Sequence, residues 1–268
     1  MLTIITMTSW TGRIKYMGEA IFRFMNTQTV KPDIFYLWLA EEEFPNKESD
    51  LPKDLLQVCK YFHIMVKWIK DNEYCHKRWY VYPDHYNDLV ISIDDDVFYD
   101  TKLIESAKKM TTKYNNLIIN CGDYLYPRLS YNNSIQRVFL PPTIDIPLKT
   151  IQLCGQCIVL PRSFPLNSIL PNAITLRKEY CKKCDECWLT PYIVNSDTRI
   201  MTHQWNNFIV DGTQDTATWK SIVKTKHIQL YLALRCNENN LSQWKRIFPK
   251  FNDTNYEMKS KDELMQLL

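Results

Sequence analysis

The chain reads as an α/β protein built on a mostly parallel central sheet flanked by helices. Its first 100 residues alternate short apolar runs with mixed, helix-like stretches, as βαβ units do. The run Leu89-Val90-Ile91-Ser92-Ile93 is apolar without alternation, the pattern of a strand buried on both faces. With 45% apolar and 13% aromatic residues in 268, there is enough material for one large core, and disorder is not the expectation.

Residues 2 to 8 read as the first strand, 15 to 28 as a helix carrying Ile21, Phe22, Phe24 and Met25, and 33 to 40 as the second strand. A helix follows from Leu51 to Tyr61, with Pro52 in its first turn, and then the short strand Ile64 to Lys67. Trp79 to Asn87 is aromatic and helix-compatible and leads into the strand that ends at Asp94. Thr101 to Tyr114 is amphipathic, with Leu103, Ile104, Ala107 and Met110 on one side, and Leu117 to Asn120 resumes the sheet. Beyond about residue 125 the pattern loosens, because Pro127, Pro141, Pro142, Pro147, Pro161, Pro165 and Pro171 interrupt regular structure. This predicts a loop-rich second half, 126 to 244, on the same domain as 1 to 125, and a tail from 245 to 268 ending in a helix. Trp244, Ile247, Phe248 and Phe251 are expected to dock on the body, with a peripheral membrane contact as the alternative.

The composition excludes several classes. A net charge of +3, from 33 basic and 30 acidic residues, supplies no basic stripe, so nucleic acid is not an expected partner. No segment reaches the roughly 18 apolar residues that span a bilayer, and the N-terminus lacks a basic region followed by an apolar signal core. A cytoplasmic protein is expected, with the inner membrane face as a further location. Nine cysteines fit reduced thiols better than a disulfide framework, and the sequons at Asn132 and Asn252 then carry no meaning. Five glycines leave no phosphate-cradling loop, which argues against a P-loop kinase or a Rossmann dehydrogenase.

The strongest chemical signal is Asp94-Asp95-Asp96, directly after the buried run. The carboxyl end of such a strand is where open α/β sheets bind ligands. Three adjacent carboxylates need a cation, and a hard divalent ion shared with a phosphate ligand suits them. Asp94 and Asp96 alternate to one side of an extended backbone and are the expected Mn²⁺ or Mg²⁺ ligands, with Asp95 turned toward the ribose or the other side of the strand. A solvated acidic turn is the plain alternative, although no Gly or Asn turn signal intervenes.

In this context the chain resembles the GT-A glycosyltransferases, in particular a bacterial-type group opening with Thr-Ser-aromatic-X-X-Arg. The matching segments are Thr8-Ser9-Trp10-Thr11-Gly12-Arg13, the second strand with its loop from Lys31 to Pro45, the Asp94 to Asp96 run, and Trp188 with the acids before it. The resemblance spans roughly residues 2 to 220. It implies a nucleotide-sugar-binding half (1 to 125) and an acceptor-side half (126 to 244). The implied donor is a nucleotide-diphosphate sugar, with a UDP-sugar favoured, and the implied acceptor is a glycan or lipid-linked glycan of surface polysaccharide biosynthesis. It places Thr8, Ser9, Trp10, Arg13, Asp94, Asp95 and Gly155 at the donor and Asp94 and Asp96 on the metal. Asp185 or Glu186 is expected as the base of an inverting transfer if burial beside Trp188 lifts its pKa, with Asp185 favoured from the alignment of the two acids. A helix-terminal acid pair is the alternative. His203 is a candidate third metal ligand, as is His227, and neither sits in a matching pattern.

Other readings compete. Asp94-Asp95-Asp96-Val97 also fits the opening of haloacid-dehalogenase-type phosphatases, whose aspartates belong to the first strand of their fold. Cys154 and Cys157, with Cys181, Cys184 and Cys187, have spacings compatible with zinc, against buried free thiols as the default. A non-catalytic nucleotide-sugar or glycan-binding accessory protein would keep the fold without turnover.

Overall fold

The computed structural model describes residues 1–114, 117–121, 128–129, 135–136, 157–160, 164, 176–185, 187–189, 199–203, 205–213, 215 and 229. The strands are β1 (Thr3–Thr8), β2 (Ile34–Ala40), β3 (Met65–Ile69), β4 (Leu89–Ile93), β5 (Val97–Phe98), β6 (Leu117–Cys121), β7 (Arg128–Leu129), β8 (Ile135–Gln136), β9 (Cys157–Leu160), β10 (Arg199–Thr202) and β11 (Phe208–Ile209). The helices are α1 (Met17–Thr27), α2 (Lys53–Phe62) and α3 (Leu103–Lys113).

Among the described residues, seven strands form one sheet in the order β10-β6-β9-β4-β1-β2-β3. The pairings β1 with β2 and β4, β2 with β3, and β6 with β10 are parallel; β9 runs antiparallel to both neighbours. β9 and β10 come from the proline-interrupted half and complete the sheet begun by the first hundred residues. The expected α/β architecture is therefore the observed one, with helices packed on a mostly parallel sheet.

The pattern of burial explains the helices. α1 buries Met17, Ala20, Ile21 and Phe24, the i, i+3, i+4, i+7 stripe, against Phe35 and Leu37 of β2 and Leu55 of α2 in one core. At the α1–α2 crossing, a Cβ on Gly18 would stand 2.3 Å from an Asp54 carboxylate oxygen, so the two helices meet through a residue without a side chain. α2 follows Pro52, which is preset for the helix entrance, and stops at His63 in the left-handed conformation at φ 56°. α3 buries Leu103, Ile104 and Ala107 on the same core.

One element departs from expectation. The helix-compatible stretch is a 3₁₀ helix over Tyr74–Asp84, beginning five residues before Trp79. His76, Lys77, Arg78 and Trp79 are all buried, so their side chains leave in several directions and no single apolar stripe marks the segment. Thr6 of β1 donates to the Arg78 carbonyl at 2.7 Å, seating this segment across the sheet.

The order of strands fixes where a ligand would sit. From β1 the chain proceeds outward through β2 and β3, then returns to place β4 on the other side of β1. The reversal leaves a crevice outside the carboxyl ends of β1 and β4, the location at which open α/β sheets bind ligands.

Candidate functional site

The residues singled out in the sequence converge on that crevice. Ser9, just past β1, donates to Asp95 Oδ2 at 2.7 Å, and the Arg13 guanidinium reaches Asp95 Oδ1 at 2.5 Å and Asp96 Oδ2 at 3.0 Å. Asp95 thus ties the loop after β1 to the turn after β4. Its side chain is 9% exposed and that of Asp96 13%, whereas that of Asp94, the most exposed of the three, is 33% exposed.

Asp94 has its own cation. Arg78 Nη1 donates to Asp94 Oδ1 at 2.6 Å, while the Asp94 backbone N–H donates to the Tyr99 hydroxyl at 2.7 Å. Lost hydration lifts the Asp94 carboxyl to about 7, with Arg78 opposing the shift and Asp96 and Asp185 adding to it.

The other edge of Arg78 belongs to Asp185. Arg78 Nε and Nη2 both contact Asp185 Oδ2, at 2.8 and 2.7 Å, and the Trp79 indole N–H donates to the same oxygen at 2.8 Å. Asp185 is 2% exposed. Burial pushes its pKa up, but the Arg78 charge and the hydrogen bonds from Arg78 and Trp79 outweigh it, and the group ends below the ordinary carboxylate value. The shift toward neutrality expected for a base is therefore not found at Asp185; this carboxylate is an anchor for Arg78. Glu186 lies outside the described residues.

The remaining candidates separate. The Thr8 hydroxyl donates to the Trp38 carbonyl at 2.8 Å, holding the end of β1 to β2. Trp10 lies over Gly12, where an added Cβ would come within 2.4 Å of the ring. The buried N–H of the Trp10 indole and the Nε–H of Arg13 have no acceptor among the described residues, so two donors stand unanswered beside the crevice. His203 packs edge-on against Trp205 at 4.6 Å between centroids; burial lowers its pKa against the opposing charge of Asp100. Gly155, Cys154, His227, Trp244, Ile247, Phe248 and Phe251 lie outside the described residues. Cys184 and Cys187 bring their sulfurs to 3.1 Å and are buried, as is Cys181.

Two cationic residues escaped the sequence reading. Lys77, 1% exposed along its side chain, donates to the Ser9 carbonyl at 3.2 Å, to Glu43 at 3.1 Å and to Asn72 at 3.3 Å. With Arg78 it comes from Cys75-His76-Lys77-Arg78-Trp79, where the only signal available was an adjacent basic pair inside an otherwise aromatic stretch.

Among the described residues, no group of three or more His, Cys, Asp and Glu side chains could hold a metal ion by itself. The oxygens of Asp94 and Asp96 are nonetheless of the type that a hard divalent cation takes in partnership with a phosphate ligand. The carboxylates of Asp94, Asp95, Asp96 and Asp185 lie against the guanidiniums of Arg13 and Arg78 at 2.5 to 3.0 Å.

The chain is similar in fold to TarS of S. aureus, a glycosyltransferase. Against one TarS structure the TM-score is 0.56 at 12% identity; the match covers 100% of this chain and 47% of the TarS chain, so this chain spans about half that length. Against TarS 1-349 in complex with UDP-GlcNAc the TM-score is 0.51 at 10% identity, covering 98% and 78%. Against TarS 1-349 in complex with UDP it is 0.50 at 12% identity, covering 98% and 76%. At these identities the likeness shows the fold. No family model matches the sequence, and no curated protein matches it. Asp94 to Asp96 follow β4, whereas the phosphatase pattern requires the first strand.

No helix among the described residues is long and apolar enough to cross a membrane.

Proposed function

We propose that this chain is a glycosyltransferase that takes its sugar from a nucleotide-diphosphate donor, with a UDP-sugar favoured. The observation that carries the reading is the meeting of Ser9 and Arg13, which follow β1, with Asp95 and Asp96, which follow β4, at the point where strand order reverses. The similarity in fold to TarS, whose structures include UDP and UDP-GlcNAc complexes, supports the same class of donor.

Within this reading, Asp94 and Asp96 would hold Mn²⁺ or Mg²⁺. Such an ion neutralises charge developing on the departing diphosphate. Arg13 keeps Asp95 and Asp96 in place, and Arg78, held by Asp185, sets the Asp94 carboxylate. The unanswered donors of Trp10 and Arg13 suit acceptor atoms of a nucleotide. Gly155 is proposed at the donor sugar and His203 as the further metal ligand. For inversion a base must take the acceptor proton; Asp185 is occupied by three donor contacts, which leaves Glu186 as the better of the two acids. The acceptor is proposed to be a glycan or lipid-linked glycan of a surface polysaccharide, met at the cytoplasmic side of a membrane.

The test is hydrolysis and transfer assays with UDP-, GDP- and CMP-sugars, each with and without Mn²⁺. Metal-dependent release of one nucleotide, lost in Asp94→Asn, supports the reading. Nucleotide release that persists unchanged in Asp94→Asn and Asp96→Asn sinks the assignment.

A further inference from the structure

The segment before Asp185 carries a second feature, which the donor site does not use. Lys182 and Lys183 occupy the two central positions of a turn closed by the Cys184 N–H on the Cys181 carbonyl at 3.0 Å. Their ammonium groups stand 5.9 and 5.4 Å from the centroid of a single ring, that of Tyr74. Among the described residues neither lysine has a carboxylate within ion-pair distance. The nearby Glu73 is engaged by Arg177 at 3.1 Å, Lys178 at 3.5 Å and the Tyr80 hydroxyl at 2.9 Å.

Two like charges gathered on one ring repel, and a turn free to move would separate them. This turn is held from beneath. The Cys181 carbonyl also accepts from His76 Nε2–H at 3.0 Å, and the Trp188 indole N–H donates to His76 Nδ1 at 2.8 Å. Cys181, Cys184 and Cys187 are buried below the turn. Tyr74 belongs to the same 3₁₀ segment as His76 and has a positive φ of 49°, a conformation costly for a bulky residue. Its backbone N–H is fixed by Asn72 Oδ1 at 2.9 Å. One side of the segment thus pins the turn from inside while the other presents an aromatic face to its lysines.

We propose that Tyr74, Lys182 and Lys183 form a subsite for an anionic, phosphate-bearing glycan acceptor. The inference rests on the glycosyltransferase reading, since it places the acceptor beside the helical stretch that begins at Asp185. The ring offers a face to a sugar, and the two ammonium groups offer charge-assisted hydrogen bonds to a phosphate.

The experiment measures binding of glucose 6-phosphate and of glucose to the full chain by calorimetry, with UDP and Mn²⁺ present in excess. Variants are Lys182→Gln/Lys183→Gln, Lys182→Arg/Lys183→Arg, and Tyr74→Asn, which removes the ring while tolerating the left-handed backbone. Glucose 6-phosphate is expected to bind at least about tenfold tighter than glucose, the size of one charge-assisted hydrogen bond. The double glutamine variant abolishes that advantage, the double arginine variant keeps it, and Tyr74→Asn weakens both sugars. UDP affinity stays at the wild-type value throughout. Equal affinity for the two sugars, or an advantage that survives in the double glutamine variant, overturns the proposal. So does binding to vesicles of phosphatidylglycerol without binding to glucose 6-phosphate, which would assign the lysines to a membrane surface. Failure of the wild-type chain to bind UDP would instead remove the donor reading, and the lysine-dependent preference would still be read separately.

Discussion

Ser9 reaches across the crevice between β1 and β4 and donates to Asp95 at 2.7 Å, on the oxygen that Arg13 does not take. Two loops that are 82 or more residues apart in sequence are thereby fixed to each other before any ligand arrives. The middle aspartate of the triplet is held by both residues, and Asp94 keeps the more exposed side chain.

Arg13→Ala would leave Asp95 and Asp96 without their shared cation in a largely buried setting. Loss of one partner of such a pair costs about 3–5 kcal/mol, so a clear fall in the denaturant midpoint is expected. Arg13→Lys should recover only part of it, because one ammonium cannot span two carboxylates as the guanidinium does. A midpoint unchanged in Arg13→Ala would show that the contact contributes nothing.

Gly12→Ala tests Trp10. The added methyl would meet the ring at 2.4 Å, well inside contact distance, and the indole must move. Nucleotide affinity should fall by roughly tenfold if Trp10 lines the donor site, the scale of one lost polar contact. An unaltered affinity would place Trp10 outside it.

His76 predicts an acid-sensitive fold. Its Nε2–H donates to Cys181 and its Nδ1 accepts from Trp188, so the neutral tautomer is fixed and a second proton has no place. Burial lowers its pKa to about 4, with Asp185 and Glu73 opposing and Arg177 reinforcing the shift. The unfolded chain binds this proton near the ordinary value of 6.5, the folded chain only near 4. Stability from this group is therefore complete above pH 6.5 and is lost as pH falls toward 4, by about 3 kcal/mol in full. Urea midpoints measured from pH 7 to 5 should decline more steeply in wild type than in His76→Gln; parallel curves would refute the assignment.

Asp185→Asn removes the charge that holds Arg78. Because Asp185 is already ionised and enclosed, the substitution should lower kcat by ten- to a hundredfold while the pH–rate profile keeps its acidic limb, displaced downward because Asp94 loses a neighbouring negative charge. A profile that loses its acidic limb altogether in Asp185→Asn would restore Asp185 as the base.

Much of this was legible in the sequence because it lay in local patterns. The apolar run of β4, the stripe of α1, Pro52 before α2 and the stripe of α3 each determine a nearby element, and those elements lie within a few residues of where periodicity puts them. The acids at the end of β4 were legible for the same reason. What the sequence did not disclose depends on distant pairing. The antiparallel course of β9 is invisible in four apolar residues, since an apolar run has no direction. Arg78 is one basic residue beside an aromatic segment, and nothing local announces its contacts with Asp94, 16 residues away, and Asp185, 107 residues away. The same contacts hold the Asp185 carboxylate below its ordinary pKa, an effect that the adjacent Trp188 does not announce.

The most direct measurement is the thermal midpoint of the wild-type chain, Asp94→Asn and Asp96→Asn with UDP, in the presence and absence of Mn²⁺. Binding to the folded state stabilises it by about 2.7 kcal/mol at a hundredfold excess over Kd, so a shift of several degrees is predicted for wild type with UDP and Mn²⁺ together. It should be lost in both variants. A shift with UDP that ignores Mn²⁺ and survives in both variants, or no shift in wild type under any condition, would contradict the metal-assisted nucleotide site at the end of β4.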